Sequence, residues 1–316
     1  MAFHFKKTEP PSRALRRVGR EHLSMAQDCL RKSRHPASVH GVRKEIKKLR
    51  ALFQLVRGEI GRGTYRKAAK GLRRVAGLLA ATRDARVRFK AFEQLAGRQA
   101  ARRFPSLKKA LLKDCRRESR RFYTDDSVVM AKRILRQTGK RVADLKFVAN
   151  DWSVIEPGLK QSYRRGQQAL RLARHEPTPE HFHEWRKQVK IFGYQLRLIC
   201  PRWPTTTRRR MDQLDRLGKA LGDEHDLVLL KQFAEEHSPA AETAALNPLI
   251  KAQQLKLRGS ALKLGTQLYR TTPAALCQQL GKGWRAWRDA TQLPPREVIG
   301  DGRWIVRPAT MNTPSP

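Results

Sequence analysis

The stretch VHGVRKEIKKLRALFQLVR, Val39 to Arg57, puts His40, Arg43, Lys44, Lys47 and Arg50 at helical spacing. With His40 at zero and about 100° per residue, the four cations fall within about 80° either side. Val42, Ile46, Leu49, Leu52, Phe53 and Val56 fill the opposite arc, so one face of the helix is basic and the other apolar. Guanidinium and ammonium groups in such a row suit a ligand carrying many oxyanions, and an imidazole adds a titrating cation. A solvated charged face usually interleaves glutamate to relieve repulsion, but Glu45 sits at about 140°, on the edge of the apolar arc. The pairs Arg43–Lys47, Lys44–Lys47, Lys44–Lys48 and Lys47–Arg50 are like-charge neighbours. Together they cost about 1–2 kcal/mol, at a few tenths each, which is a noticeable share of a marginal stability. The stripe is therefore read as the wall of an anion site.

A second stretch, FHEWRKQVKIFGYQLRLI, repeats the arrangement as His183, Arg186, Lys187 and Lys190, at a constant offset of 143. The apolar positions follow: Val42/Trp185, Ile46/Val189, Leu49/Phe192, Phe53/Leu196 and Val56/Ile199. Downstream, LRRVAGLLAATRDARV (Leu72 to Val87) matches LDRLGKALGDEHDLVL (Leu214 to Leu229) at an offset of 142. Here Arg83 and His225 lie among apolar positions, each followed by an aspartate, Asp84 and Asp226. A cation on an apolar face is costly unless paired or facing a wet cavity. Two readings stay open: buried side chains tethered by the carboxylates, or side chains pointing into a polar channel. The aspartates are expected to orient cations rather than touch a polyanion, which they would repel.

Positioning these residues requires helices, and the periodicity is helical almost throughout. Segments are predicted at 12–33, 38–57, 64–97, 106–147, 156–175, 180–200, 206–237 and 245–290, the fourth of each set being long enough for two helices. RHPAS, RRFPS, NDWSVIEPG, HEPTPEH, CPRWPTT and HSPAAE supply the breaks. Only GRWIVRP reads as a strand, within a loose tail over 291–316. The expected fold is all-α: two four-helix bundles, about 11–147 and 155–290, related by an internal pseudo-two-fold within one domain over 5–290.

The 316 residues carry 68 Lys+Arg against 28 Asp+Glu, a formal +40. Such a charge opposes compaction and calls for a resident polyanion: nucleic acid, an anionic membrane surface or inorganic polyphosphate. With 40% hydrophobic residues there is enough for a core. Cys29, Cys115, Cys200 and Cys277 are far apart and form no CxxC, so neither a disulfide framework nor a zinc site is expected. The first residues lack the apolar core of a signal peptide, and no run approaches the roughly 18 apolar residues of a membrane span. A cytoplasmic protein is expected.

VHGVRKEIKKLRA and FHEWRKQVKIFGYQL, with LAATRDARV and LGDEHDLVLL, resemble the paired signatures of the CHAD domain, a conserved-histidine α-helical domain. RALRRVGREHL and GLKQSYRRGQQAL resemble that family's first helix in each half, so the likeness spans about residues 5 to 290. The resemblance implies two four-helix bundles around a basic central channel, binding of inorganic polyphosphate and association with polyphosphate granules. It assigns His40, Arg43, Lys44, Lys47 and Arg50 to the first signature, His183, Arg186, Lys187 and Lys190 to the second, and Arg83 and His225 to the later one. Gly193 stands where the family usually has an arginine, and Arg197, at about −40° on its helix, is positioned to replace that charge. The chain has no E-x-E-x-K strand of the triphosphatase-like domain that many relatives carry, and reads as a stand-alone member.

The expectation is thus non-catalytic polyphosphate binding through a Lys/Arg/His-lined cleft, with no metal or cofactor and no membrane association. Sequence-independent nucleic-acid binding is the alternative, and weak binding of that kind is compatible with the charge. Phosphoryl transfer normally needs carboxylates that hold Mg²⁺, and DEHD at Asp223 to Asp226 has no partner cluster in the first half.

Overall fold

In a computed structural model, the described residues are 3–31, 36–97, 100–124, 126–200, 205–289 and the strand pairs 297–298 and 304–305. They form twelve α-helices: α1 (Pro11–Arg31), α2 (Pro36–Leu55), α3 (Arg62–Leu78), α4 (Ala80–Ala96), the single turn α5 (Ala100–Arg103), α6 (Pro105–Thr124), α7 (Ser127–Ala143), α8 (Glu156–His175), α9 (Pro179–Ile199), α10 (Thr205–His237), α11 (Ala240–Leu268) and α12 (Pro273–Asp289). The fold is all-α, as the periodicity predicted. Five of these helices open on proline, whose fixed φ and missing N–H suit the first helical position. Before α9 the Thr178 hydroxyl accepts from the His181 N–H, a side-chain cap that fixes where the second basic stripe begins.

Most predicted boundaries lie within two or three residues of the observed ones. The segment 64–97 is instead two helices, α3 and α4, parted at Leu79, whose N–H bonds back to the Gly77 carbonyl. Its counterpart α10 runs unbroken for 33 residues. Lys219 stands there where α3 has Gly77, but Gly218 and Gly222 lie inside the unbroken α10, so glycine alone does not set the break. The fourth segments divide into α6 and α7, and into α11 and α12. In the tail, Trp304–Ile305 pairs antiparallel with Glu297–Val298. The remainder of 290–316, and the break at 201–204, lie outside the described residues.

Within the first set α1 packs on α2 and α7, α2 on α3, and α4 on α6; within the second α8 packs on α9 and α12, α9 on α10, and α10 on α11. The sets meet where α2 crosses α9 and α4 lies along α10. The core does not divide at the chain's midpoint. One cluster runs from Leu15, Val42, Ile46 and Phe53 into Trp185, Phe192 and Leu217. A second joins Phe92, Phe104 and Leu111 to Leu227, Phe233 and Leu246. Both cores draw on both sets, so neither set completes its packing alone.

Polar ties reinforce the junction. The buried Gln195 amide donates to the Ala51 carbonyl, 3.2 Å, joining α9 to α2. Glu242 of α11 accepts from the Ser106 and Leu107 N–H groups at 3.0 and 2.9 Å, closing the first turn of α6. At the closest backbone approach, a Cβ on Gly158 of α8 would lie 1.7 Å from the Leu55 carbonyl oxygen of α2. A backbone atom cannot swing aside as a side chain can. Gly158→Ala should therefore destabilise by at least the 1–3 kcal/mol typical of overpacking. Gly58→Ala, where nothing lies within 4 Å, should stay within about 0.5 kcal/mol. Thermal or urea unfolding of the two variants checks both.

Candidate anion-binding site

The basic stripe of α2 and that of α9 are brought to the same place because their apolar arcs share one core. Val42, Ile46, Leu49, Leu52, Phe53 and Val56 are all buried, as are Trp185, Val189, Phe192, Leu196 and Ile199. With those faces fixed inward, Arg43 and Lys47 lie in the fields of Arg186 and Arg83, and Lys47 also in that of Lys190. Cations from α2, α4 and α9 form one cluster.

Arg83 answers the question its apolar surroundings posed. Its guanidinium donates to Asp84 Oδ1 at 2.8 Å and to Asp226 Oδ1 at 3.0 Å, so it spans α4 and α10. It is tethered by carboxylates and also belongs to the cluster, since its charge bears on Arg43, Lys47, Arg186 and both site histidines. Asp84 and Asp226 orient it, as expected. Burial raises the Asp226 pKa despite Arg83 and Arg186 nearby.

The remaining cations carry the strain. Burial, then the fields of Arg186, Arg43, Arg83 and Lys190, push the Lys47 ammonium down to about 7. Burial and Arg83 bring Arg43 down to about 10, although its Nη1 donates to the Ala76 carbonyl at 3.0 Å. Arg186 and Lys190 are lowered for the same reasons, burial first and neighbouring arginines second. The Arg186 Nε is buried with no hydrogen-bond acceptor among the described residues. Small residues make the room: a Cβ on Gly218 would sit 2.9 Å from Lys190 Nζ, and one on Gly222 3.6 Å from Arg186 Nε. In the sequence Ala76 and Gly218 read only as corresponding apolar-face positions at the 142-residue offset, and Gly222 carries no signal of this role.

His183 and His225 form a pair, Nδ1 to Nδ1 at 3.1 Å with ring centroids 4.1 Å apart. One nitrogen donates and the other accepts, which requires at least one neutral ring. Burial and the surrounding cations push His183 down to about 4 and His225 to about 3. The expectation that imidazoles join the cation set below about pH 6.5 fails for this pair. His40 is exposed at the rim, its pKa lowered by partial burial and by Lys47, Lys44, Arg86 and Arg43.

Several predicted residues stand apart. Lys44 is exposed beside His40. Arg50 sits farther along α2, where Arg73 is its strongest charged neighbour. Lys187 is exposed and bonded to Glu184 at 2.9 Å, so the second stripe has a counterion that the charge pattern alone did not assign. Arg197 lies 3.5 Å from the position a Gly193 Cβ would take, but it pairs with Asp215 of α10 and lies over the Tyr194 ring. It fills the space left by the missing arginine without leaving its charge unpaired.

A match to the CHAD domain family covers residues 17–235. The chain belongs to that family. Two solved structures share the fold: PptA from Streptomyces chartreusis, at 14% identity and TM-score 0.62 over 83% of this chain and all of that one, and the CHAD domain from the plant Ricinus communis, at 16% identity and TM-score 0.58 over 90% and 95%. A comparison with curated proteins finds no match. Among the described residues of this CHAD domain, no helix is long and apolar enough to cross a membrane.

The proton states have a consequence for stability. The folded histidines lose their protons near 3 and 4 against an ordinary 6.5, and Lys47 near 7 against 10.5. Over those windows the unfolded chain binds more protons than the folded one, so stability rises with pH. The unfolding midpoint of the free CHAD domain should climb between pH 4 and 6.5 and again between pH 7 and 10, and Lys47→Met should remove most of the second rise. A midpoint that falls from pH 7 to 9 would place the Lys47 ammonium in water.

Proposed function

We propose that this CHAD domain binds inorganic polyphosphate, without catalysis, in a cleft lined by Arg43, Lys47, Arg83, Arg186 and Lys190, with His40 and Lys44 at its rim. One observation carries the reading. Five cations from α2, α4 and α9 share a half-buried space in which both aspartates, Asp84 and Asp226, accept hydrogen bonds from Arg83. A polyanion supplies the missing negative charge, and a linear phosphate chain asks for nothing beyond charge-assisted donors. The matched order of helix contacts and the residue offsets support an internal duplication, in which the cleft lies between the copies and serves as the central channel. Association with polyphosphate granules follows from such binding.

Catalysis is not part of the reading, because the carboxylates nearest the cations are held by a guanidinium and not free to bind Mg²⁺. Phosphate release from polyphosphate with Mg²⁺ should stay at background. Sequence-independent nucleic-acid binding is less favoured. Single-stranded bases need aromatic platforms, and of the aromatics on the two stripe helices Phe53, Trp185 and Phe192 are fully buried, while the half-buried Tyr194 ring is covered by Arg197. Long-chain polyphosphate should displace bound DNA or RNA at a far lower charge-equivalent concentration than the reverse.

Reversing Lys47 and Lys190 to glutamate should weaken binding of long-chain polyphosphate by about a hundredfold or more, taking about 1.5 kcal/mol for each charged hydrogen bond lost. The unfolding midpoint should not fall, since two repelling cations are removed. Titration calorimetry and thermal unfolding read the two effects, and unchanged affinity would reduce the stripes to a solvated face. Binding should also take up protons at pH 7.5, because a polyanion raises the pKa of Lys47. The apparent enthalpy should then depend on the buffer's own ionisation enthalpy, and should cease to do so in Lys47→Met.

A further inference from the structure

The outer face of α6 repeats the logic of the central stripes outside the central site. Lys109, Lys113, Arg116 and Arg120 are exposed. At about 100° per residue they fall within about 60° of one another, a row of roughly 16 Å along the helix. Lys109–Lys113, Lys113–Arg116 and Arg116–Arg120 are like-charge neighbours, a destabilising arrangement. The acids of α6 do not relieve it. Asp114 and Glu118 are buried; Asp114 pairs with Arg88 of α4 and with Arg117, and Glu118 with Arg117. Glu242, the acid that α11 brings to this helix, is spent on the first-turn N–H groups. Among the described residues no carboxylate pairs with Lys108, Lys109, Lys113 or Arg116. A groove of about 770 Å³ runs beside this row, lined by α6 residues from Pro105 to Arg120, with Leu112 as its aliphatic wall.

The helix that carries the row is fixed to the central cluster through its inner face. α4 packs on α6, and the Cys115 thiol of α6 donates to the Ala85 carbonyl of α4 at 3.3 Å. Arg86, exposed on α4, lies close enough to His40 at the rim of the cluster to act on it.

We propose that the outer face of α6 is a second polyphosphate-binding surface that engages only chains long enough to extend beyond the central cleft. The surface rests on the polyphosphate reading of that cleft and adds a chain-length preference to it. A short oligophosphate is held by the central cations alone. A long one gains the α6 row without a second association event, as a tethered second contact does.

The test compares tripolyphosphate with long-chain polyphosphate, by titration calorimetry at fixed salt, on the full chain. The α6 variant is Lys109→Glu/Lys113→Glu/Arg116→Glu. A control of equal charge change on α11, Lys251→Glu/Lys256→Glu/Lys263→Glu, reports the effect of net charge. The α6 variant should lose at least tenfold in affinity for the long chain, beyond any loss in the control, while its affinity for tripolyphosphate matches the control's. Equal losses in the two variants, or equal losses for the two ligands, would overturn the second surface and leave the central site standing. A wild-type chain that binds neither ligand would overturn the central reading, and the second surface with it.

Discussion

The structure depends on holding like charges together. Arg43, Lys47, Arg83, Arg186 and Lys190 share one half-buried region, and among the described residues only Arg83 of these five hydrogen-bonds to carboxylates. Nothing among the cations favours this arrangement; the apolar arcs behind them do. One fully buried aliphatic or aromatic side chain contributes about 1.5–3 kcal/mol, as much as the whole set of like-charge pairs along one stripe. The α2 arc alone buries six such residues. Hydrophobic packing therefore wins comfortably, and the cations are presented by a scaffold that does not need them.

That imbalance sets the protonation of the site. A buried group beside several cations is driven toward its neutral form, which is why Lys47 falls to about 7 and why the His183–His225 pair stays uncharged at neutral pH. The pair replaces on α9 and α10 what an additional cation would make worse. Arg83 stands at the position in α4 that His225 occupies in α10, and there the guanidinium is tolerated because two aspartates converge on it. The same position in the two sets thus carries opposite solutions to one electrostatic problem.

The helices and both stripes were legible in the sequence because a period of 3.6 separates the basic and apolar arcs without any knowledge of neighbours. The offsets of 143 and 142 likewise identified Arg83 and His225 as corresponding positions. What periodicity lacks is the identity of the element across the way. Asp226 reaching Arg83, Asp215 reaching Arg197 and His183 meeting His225 are contacts between helices, and no spacing within one helix encodes them. The break at Leu79 was not legible, because glycine alone does not mark it: α10 stays continuous through Gly218 and Gly222. Gly218 and Gly222 were visible as small residues. Their purpose appears only once Lys190 and Arg186 are seen lying across them. The mixing of both sets in both cores was not legible either, since an amphipathic face states that it will be buried and not against what.

The two sets do not contribute equally to the site. On α9, Lys187 is bonded to Glu184 and Arg197 to Asp215, and Gly193 has no side chain to offer. On α2, Arg43 and Lys47 face the cluster without a carboxylate of their own, and Lys44 and His40 continue the row to the rim and on to Arg86. Unspent positive charge is therefore greater on α2, since among the described residues α9 keeps Arg186 and Lys190 unpaired but loses Lys187 and Arg197 to carboxylates, and Arg83 of α4 is held by two aspartates. An anion entering the cluster is drawn toward that side, because a cation already paired gives up part of its attraction to the partner it holds. The two stripes are similar in sequence, and the positions at which they differ give the basic surface a direction, from the α9 stripe to the α2 stripe and the rim at His40 and Lys44.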